Sequence, residues 1–158
     1  MNWNGFKGAA KRIDDIDLPK IGAQIGVGED ELHAFMEAET RGSGFDDQGR
    51  PRILFERHKF YKYVADNKRS AAVSSGLANK QAGGYGKESE QYSKLFRAME
   101  IDERAALLSC SWGLAQVMGF NHKLAGYATV EAMISAFMAD EEAHLQAAVD
   151  FIKNSGLD

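Results

Sequence analysis

The sequence predicts a mainly α (α+β) fold, built from short helices with at most one small β-hairpin. Three observations carry that expectation. Apolar residues recur at i, i+3, i+4 spacing in several stretches. Glycine-rich and Asp/Asn/Ser-rich stretches separate them. The one short run with strand character is Ile53-Leu54-Phe55. At about 100–200 residues per domain, the 158 residues make a single domain spanning 1–158. No repeat or low-complexity tract is visible, which excludes solenoids and propellers.

Taken in order, Pro19 after Asp17 and Leu18 suits the first position of a helix running to about Gly26. Gly28 opens the next helix, whose Leu32, Phe35, Met36 and Glu39 share one face. RGSGFDDQGRP (41–51) has turn chemistry and ends it. After Ile53-Leu54-Phe55, a helix is expected from about Glu56 to Ala65. Residues 74–87 (SSGLANKQAGGYGK) read as a mobile loop. Ser89 or Asp102 is expected to cap segments near 90–98 and 103–109, and Trp112–Met118 to form a short apolar helix. Thr129 caps a helix carrying Val130, Met133, Ile134, Phe137 and Met138. The last helix buries Leu145, Ala148, Val149 and Ile152, with Gly156 at its C′ position.

Composition narrows the function. Hydrophobic residues make up 44% and charged residues 27%, as in ordinary globular chains. The longest apolar runs are four residues, far from the roughly 20 of a bilayer span, so no membrane insertion is expected. The N-terminus lacks the apolar core of an export signal, so synthesis in the cytoplasm without a signal peptide is expected. A single cysteine, Cys110, forms no intrachain disulfide and reads as a small buried thiol. The net charge of −4 argues against nucleic acid as a partner. The charge is uneven, however. Residues 50–69 carry seven basic side chains against Glu56 and Asp66, whereas residues 131–158 carry six acids against Lys153.

Glu39 completes an apolar stripe, so its carboxyl is expected to be desolvated and its pKa raised, as a general acid requires. It also stands directly before the glycine-rich loop, which can open it to a cleft. A buried structural glutamate is the alternative. Glu56 follows the apolar run and precedes Arg57-His58. Two carboxylates meeting at one cleft are the minimum for glycoside hydrolysis, and a surface acid favoured by the helix dipole is the other reading. In the segment Ser111–Asn121, Ser111, Gln116 and Asn121 alternate with Trp112 and Phe120, which suits sugar binding or ordinary packing. Glu141 and His144 form an E-x-x-H half-motif without a second copy, so no metal is expected. His33 and Glu37 read as a solvent-facing pair.

Three segments together are distinctive. ELHAFMEAETRGSGFD, RPRILFERHKFY and SWGLAQVMGFNHKLAGY resemble, in that order, the N-acetylmuramidase domain of phage and prophage endolysins. The resemblance runs from about Gly5 to Leu157 and is distantly similar to goose-type lysozymes and soluble lytic transglycosylases. It implies a lysozyme-like fold. It implies a glycoside hydrolase that needs no cofactor and cleaves the β-1,4 bond between N-acetylmuramic acid and N-acetylglucosamine in peptidoglycan. It assigns Glu39 as the acid and Glu56 as base, nucleophile or charge stabiliser. Thr40, His58, Ser111, Trp112, Gln116 and Asn121 become the substrate-binding residues. Thr40 stands where relatives often carry Ser and keeps the hydroxyl.

Relatives usually continue past this C-terminus with a segment carrying a Tyr-Asn-Gly motif. No separate wall-binding domain is expected, which leaves capture of the glycan strand to a monomeric catalytic domain and its basic stretch at 50–69. Action on the cell wall then requires release through a holin-type pore, a secretion machine or lysis. A lytic transglycosylase forming 1,6-anhydro ends, or an inactive peptidoglycan-binding domain, is the alternative.

Overall fold

The computed structural model describes residues 3–11 and 44–155. The helices expected at 19–26 and from Gly28, the residues Glu39 and Thr40, and the C′ position at Gly156 lie outside the described residues. Those described form six α-helices and one small three-stranded antiparallel sheet, in line with the mainly α reading. The helices are α1 (Arg57–Tyr63), α2 (Arg69–Ser74), α3 (Gln91–Ile101), α4 (Glu103–Leu108), α5 (Val130–Ala139) and α6 (Glu141–Ser155). The strands are β1 (Ile53–Phe55), β2 (Cys110–Trp112) and β3 (Val117–Met118), in the order β1-β2-β3. None of these helices is long and apolar enough to cross a membrane.

The chain divides into two compact units. The first holds the described residues of Met1–Arg52, Trp112–Val117 and Asn121–Asp158. Its frame is the helix pair α5–α6. Thr129 caps α5 by accepting from the Ala132 amide at 3.1 Å, and Asp140 does the same for α6 at the Ala143 amide at 2.9 Å. Val130, Met133, Ile134 and Phe137 on α5 and Leu145, Ala148 and Val149 on α6 are buried as the apolar stripes require, while Met138 and Ile152 are half-buried. The N-terminal segment runs beside the α5–α6 junction, where Lys11 donates to Ala139 and its carbonyl accepts from the Glu141 amide. Trp3 stacks on Phe6 at 5.3 Å, and Phe6 meets Trp112 at 5.7 Å. The predicted turn between Phe45 and Pro51 forms around Asp46, whose carboxylate accepts from the Gln48 and Arg50 amides and pairs with Arg50.

The buried imidazole of His144 ties this unit together. Its Nδ1 accepts from the Leu114 amide at 3.0 Å, and its Nε2 donates to the Phe137 carbonyl at 2.7 Å. The ring lies between Phe45 and Phe137. Gly113 rests on the same ring: its φ is +76°, and a Cβ there would come within 2.6 Å of Nδ1. This overturns the helix expected at Trp112–Met118. The segment instead finishes β2, turns at 113–116 and enters β3. The positive φ of Gly113 and of Gln116 (+52°) cannot be accommodated in a helix. The Gly113 amide donates to Arg52 instead, at 2.7 Å.

The second unit holds Ile53–Ser111 and Met118–Phe120. Phe55, Phe60, Leu95, Ala98, Ala106 and Leu107 form its core. The predicted helix at 56–65 is shorter, because Arg69 closes it. Its guanidinium donates to the carbonyls of Tyr61 and Val64, which a helix end leaves open. Asp102 caps α4 as expected, accepting from Ala105, and its second oxygen holds the Ala65 amide. Ser89 does not cap α3. It sits in a 3-10 turn, Glu88–Glu90, that leads into the helix. Cys110 is fully buried, as predicted, and burial, with the Glu56 charge, pushes its thiol pKa well up.

Residues 75–87 have no helix or strand, but they are tied down. Leu77 and Ala78 are buried, and Arg57 donates to the carbonyls of Gln81 and Ala82. The buried side chain of Gln91 makes the principal tie. Its carbonyl oxygen accepts from the Phe55 amide at 2.9 Å, and its amino group donates to the carbonyls of Tyr85 at 2.7 Å and Lys87 at 3.0 Å.

Two outcomes follow from these buried polar groups. Gln91→Leu removes three hydrogen bonds from one buried site and should cost about 3 kcal/mol in a denaturant titration. Burial holds the His144 pKa below its ordinary value. That effect outweighs the Phe137 carbonyl and the Glu141 and Asp140 carboxylates, which act the other way. The unfolded chain therefore takes up this proton first. The stability contributed by neutral His144 is complete above about pH 6.5 and is lost as pH falls through the lower folded value. An NMR titration should find this ring ionising below pH 6.5, with the unfolding midpoint falling across the same window.

Candidate active site

Glu56 occupies the single position between β1 and α1. Its amide donates to the Ser109 carbonyl at 3.0 Å, and its own carbonyl accepts from Lys59 at 3.0 Å and Phe60 at 3.1 Å. Strand pairing on one side and the first helical turn on the other thus fix its backbone. At a helix N-cap a short acid, Asp, commonly turns its side chain back onto the exposed amides of the first turn, whereas Glu is one methylene longer and outside that preferred set. Glu56 makes no such bond. Its carboxylate turns instead to Tyr85, whose hydroxyl donates to Oε2 at 2.9 Å. The Nδ1 of His58 lies 3.4 Å from the same oxygen, enclosed and without hydrogen-bond geometry. The Glu56 side chain is 14% exposed and that of His58 28%, so the group is recessed but open to solvent.

A loop made for close approach delivers Tyr85. Gly83, Gly84 and Gly86 all have positive φ. At Gly84 a Cβ would come within 2.7 Å of the Arg57 guanidinium, so the chain can lie on Arg57 there because the residue is glycine. Arg57, Gln91 and Lys94 hold the loop by its carbonyls, Lys94 reaching those of Gly84 and Tyr85. The hydrogen bond to Glu56 raises the Tyr85 pKa, desolvation and the Glu56 charge add to the rise, and Arg57 opposes it. The group therefore stays a neutral phenol and a donor at ordinary pH.

The other predicted site residues are distributed unevenly. Glu39 and Thr40 lie outside the described residues. Glu56, His58 and Ser111 belong to the second unit, and Trp112, Gln116 and Asn121 to the first. Trp112 does not offer the stacking face its position suggested. It is fully buried, because the interior of the first unit recruits its indole against Phe6. Ser111 is likewise buried, within β2. Gln116 is exposed and donates its amide to the carbonyls of Arg52 and Gly113. Asn121 is half-buried and ends a 3-10 turn. Phe120, half-buried, lies 5.7 Å from the Tyr63 ring with the Lys59 ammonium over it.

The E-x-x-H pair has a structural role. Glu141 is buried and accepts from the Gly44 amide at 2.6 Å, while both ring nitrogens of His144 are engaged. Among the described residues no group of His, Cys, Asp and Glu could hold a metal ion. Sequence reasoning missed Tyr85 and Gln91. The available signal was an aromatic residue set among glycines, in AGGYG.

A profile of the N-acetylmuramidase family matches residues 29–158. The crystal structure of Burkholderia AP3 phage endolysin is similar, with a TM-score of 0.84 and 34% sequence identity. That similarity covers 93% of this chain and 57% of that one, so the chain spans little more than half the endolysin's length. A comparison with curated proteins gives no match. With the profile matching most of its length and a TM-score of 0.84 to the phage enzyme, the chain belongs to the N-acetylmuramidase family.

Proposed function

We propose that the chain is an endolysin-type muramidase that cleaves the β-1,4 bond between N-acetylmuramic acid and N-acetylglucosamine in peptidoglycan. The observation that carries this reading is the Glu56 carboxylate, which leaves its helix cap unmade and is held by a tyrosine hydroxyl instead. An acid with a catalytic role needs a fixed carboxylate with an accessible oxygen.

Bond cleavage needs one acid to protonate the leaving oxygen and a second carboxylate for the developing positive charge or the water. Glu39, the glutamate of the first family-like segment, takes the first role. Glu56 takes the second, orienting water or stabilising the oxocarbenium-like transition state. Thr40, His58, Gln116 and Asn121 bind the sugar amides and hydroxyls, with Ser111 and Trp112 supporting from within. The chain acts as one catalytic domain and a monomer, without a cofactor. Its work is at the cell wall after release from the cytoplasm.

Glu39→Gln should lower the rate of peptidoglycan clearing by at least about a hundredfold. Glu56→Gln should lower it by a similar factor, both measured against wild type by turbidity loss. Mass spectrometry of the products should find reducing N-acetylmuramic acid ends. Exclusively 1,6-anhydro products would make the chain a transglycosylase, and a wild-type chain that clears nothing would end the enzymatic reading.

A further inference from the structure

The loop carrying Tyr85 is more elaborately secured than a connection between helices requires. The carbonyls of Gln81 and Ala82, shortly before Tyr85, accept from Arg57, and Gln91 and Lys94 reach the Tyr85 carbonyl itself. Gly84 and Gly86, on either side, take up positive φ so that the chain can pass Arg57 and Glu90. Gln91 also holds the amide of Phe55, the residue directly before Glu56. One buried amide thus sets the backbone beside the hydroxyl donor against the backbone beside its acceptor. All these anchors act on main chain and leave the phenol with one described polar contact, the 2.9 Å bond to Glu56 Oε2.

We propose that Tyr85 is the positioning residue of Glu56 and that it commits Oε2 to the protein, leaving Oε1 as the oxygen that meets water or the sugar. The proposal rests on the muramidase reading and deepens it. A glutamate has three rotatable side-chain bonds, and a charge-assisted O–H···O bond is a strong restraint on them. His58 crowds the same oxygen at 3.4 Å, which leaves Oε2 enclosed on two sides. Among the described residues Oε1 has no hydrogen-bond partner. Tyr85 therefore acts through Glu56, and it restricts the carboxylate to one orientation with one reactive oxygen.

Tyr85→Phe keeps the ring and the loop and deletes the hydroxyl alone. On soluble glycan fragments of peptidoglycan, its kcat should fall about ten- to a hundredfold while KM stays within about twofold and the unfolding temperature drops by no more than about 5 °C. With ring-labelled tyrosine, NMR should find Tyr85 ionising above an ordinary tyrosine in the wild type. In Glu56→Gln that displacement should shrink, Arg57 being the remaining charge facing the phenol. A kcat within twofold of wild type, beside an impaired Glu56→Gln, would overturn the proposal and leave the muramidase reading intact. So would a Tyr85 titration identical in the two proteins. A Glu56→Gln chain with full turnover would remove Glu56 from the chemistry, and the proposal with it.

Discussion

Burying an amide or an imidazole is tolerated only where its donors and acceptors find partners, and each unit is organised around one side chain that meets this demand. In the second unit that side chain is Gln91, whose carbonyl oxygen and amino group fasten a strand on one side and a loop on the other. Helix α3, which carries it, thereby becomes the reference to which β1 and the Tyr85 loop are registered. In the first unit the imidazole of His144 does the equivalent, joining α6 to the end of α5 and to the turn after β2. The apolar cores supply the bulk of the driving force. These polar pairings decide which of many compact arrangements is adopted.

The placement of the Glu56 carboxylate depends on that register. The residue sits where a strand becomes a helix, so its backbone is held by two different hydrogen-bond systems and its side chain is released from both. A flexible loop would provide no such footing, and the interior of a helix would commit the side chain to one face. The junction supplies a rigid base with a free direction, as a site needs when a carboxylate must face a substrate. The family match and the similarity to the phage endolysin identify the scaffold. The junction shows how the scaffold presents an acid.

Much of this was legible in the sequence where a local rule operates. Asp102 and Thr129 announced their helices because a capping oxygen acts within three residues. The stripe of Val130, Met133, Ile134 and Phe137 followed from a period that one helix alone dictates. The segment at 112–118 misled, because its apolar content is that of a helix while its conformation is set by the ring of His144, about thirty residues further along the chain. The role of Tyr85 was not legible from its own segment. A Ser/Gly-rich stretch looks mobile until Arg57, well back in the sequence, and Gln91 and Lys94, on the helix that follows, fasten its carbonyls. For the candidate site, motif order pointed to Glu56 and His58. It did not reveal that Trp112 would be drawn into a core, since burial of a large ring is decided by the neighbours that assemble around it.

The sealed thiol of Cys110 has a consequence of its own. Thiol oxidation and disulfide exchange proceed through the thiolate, and here burial and the nearby carboxylate both oppose its formation. With a single cysteine in the sequence and that one inaccessible, the folded chain neither gains a crosslink in an oxidising medium nor loses one in a reducing medium. Its conformational stability thus draws nothing from a disulfide.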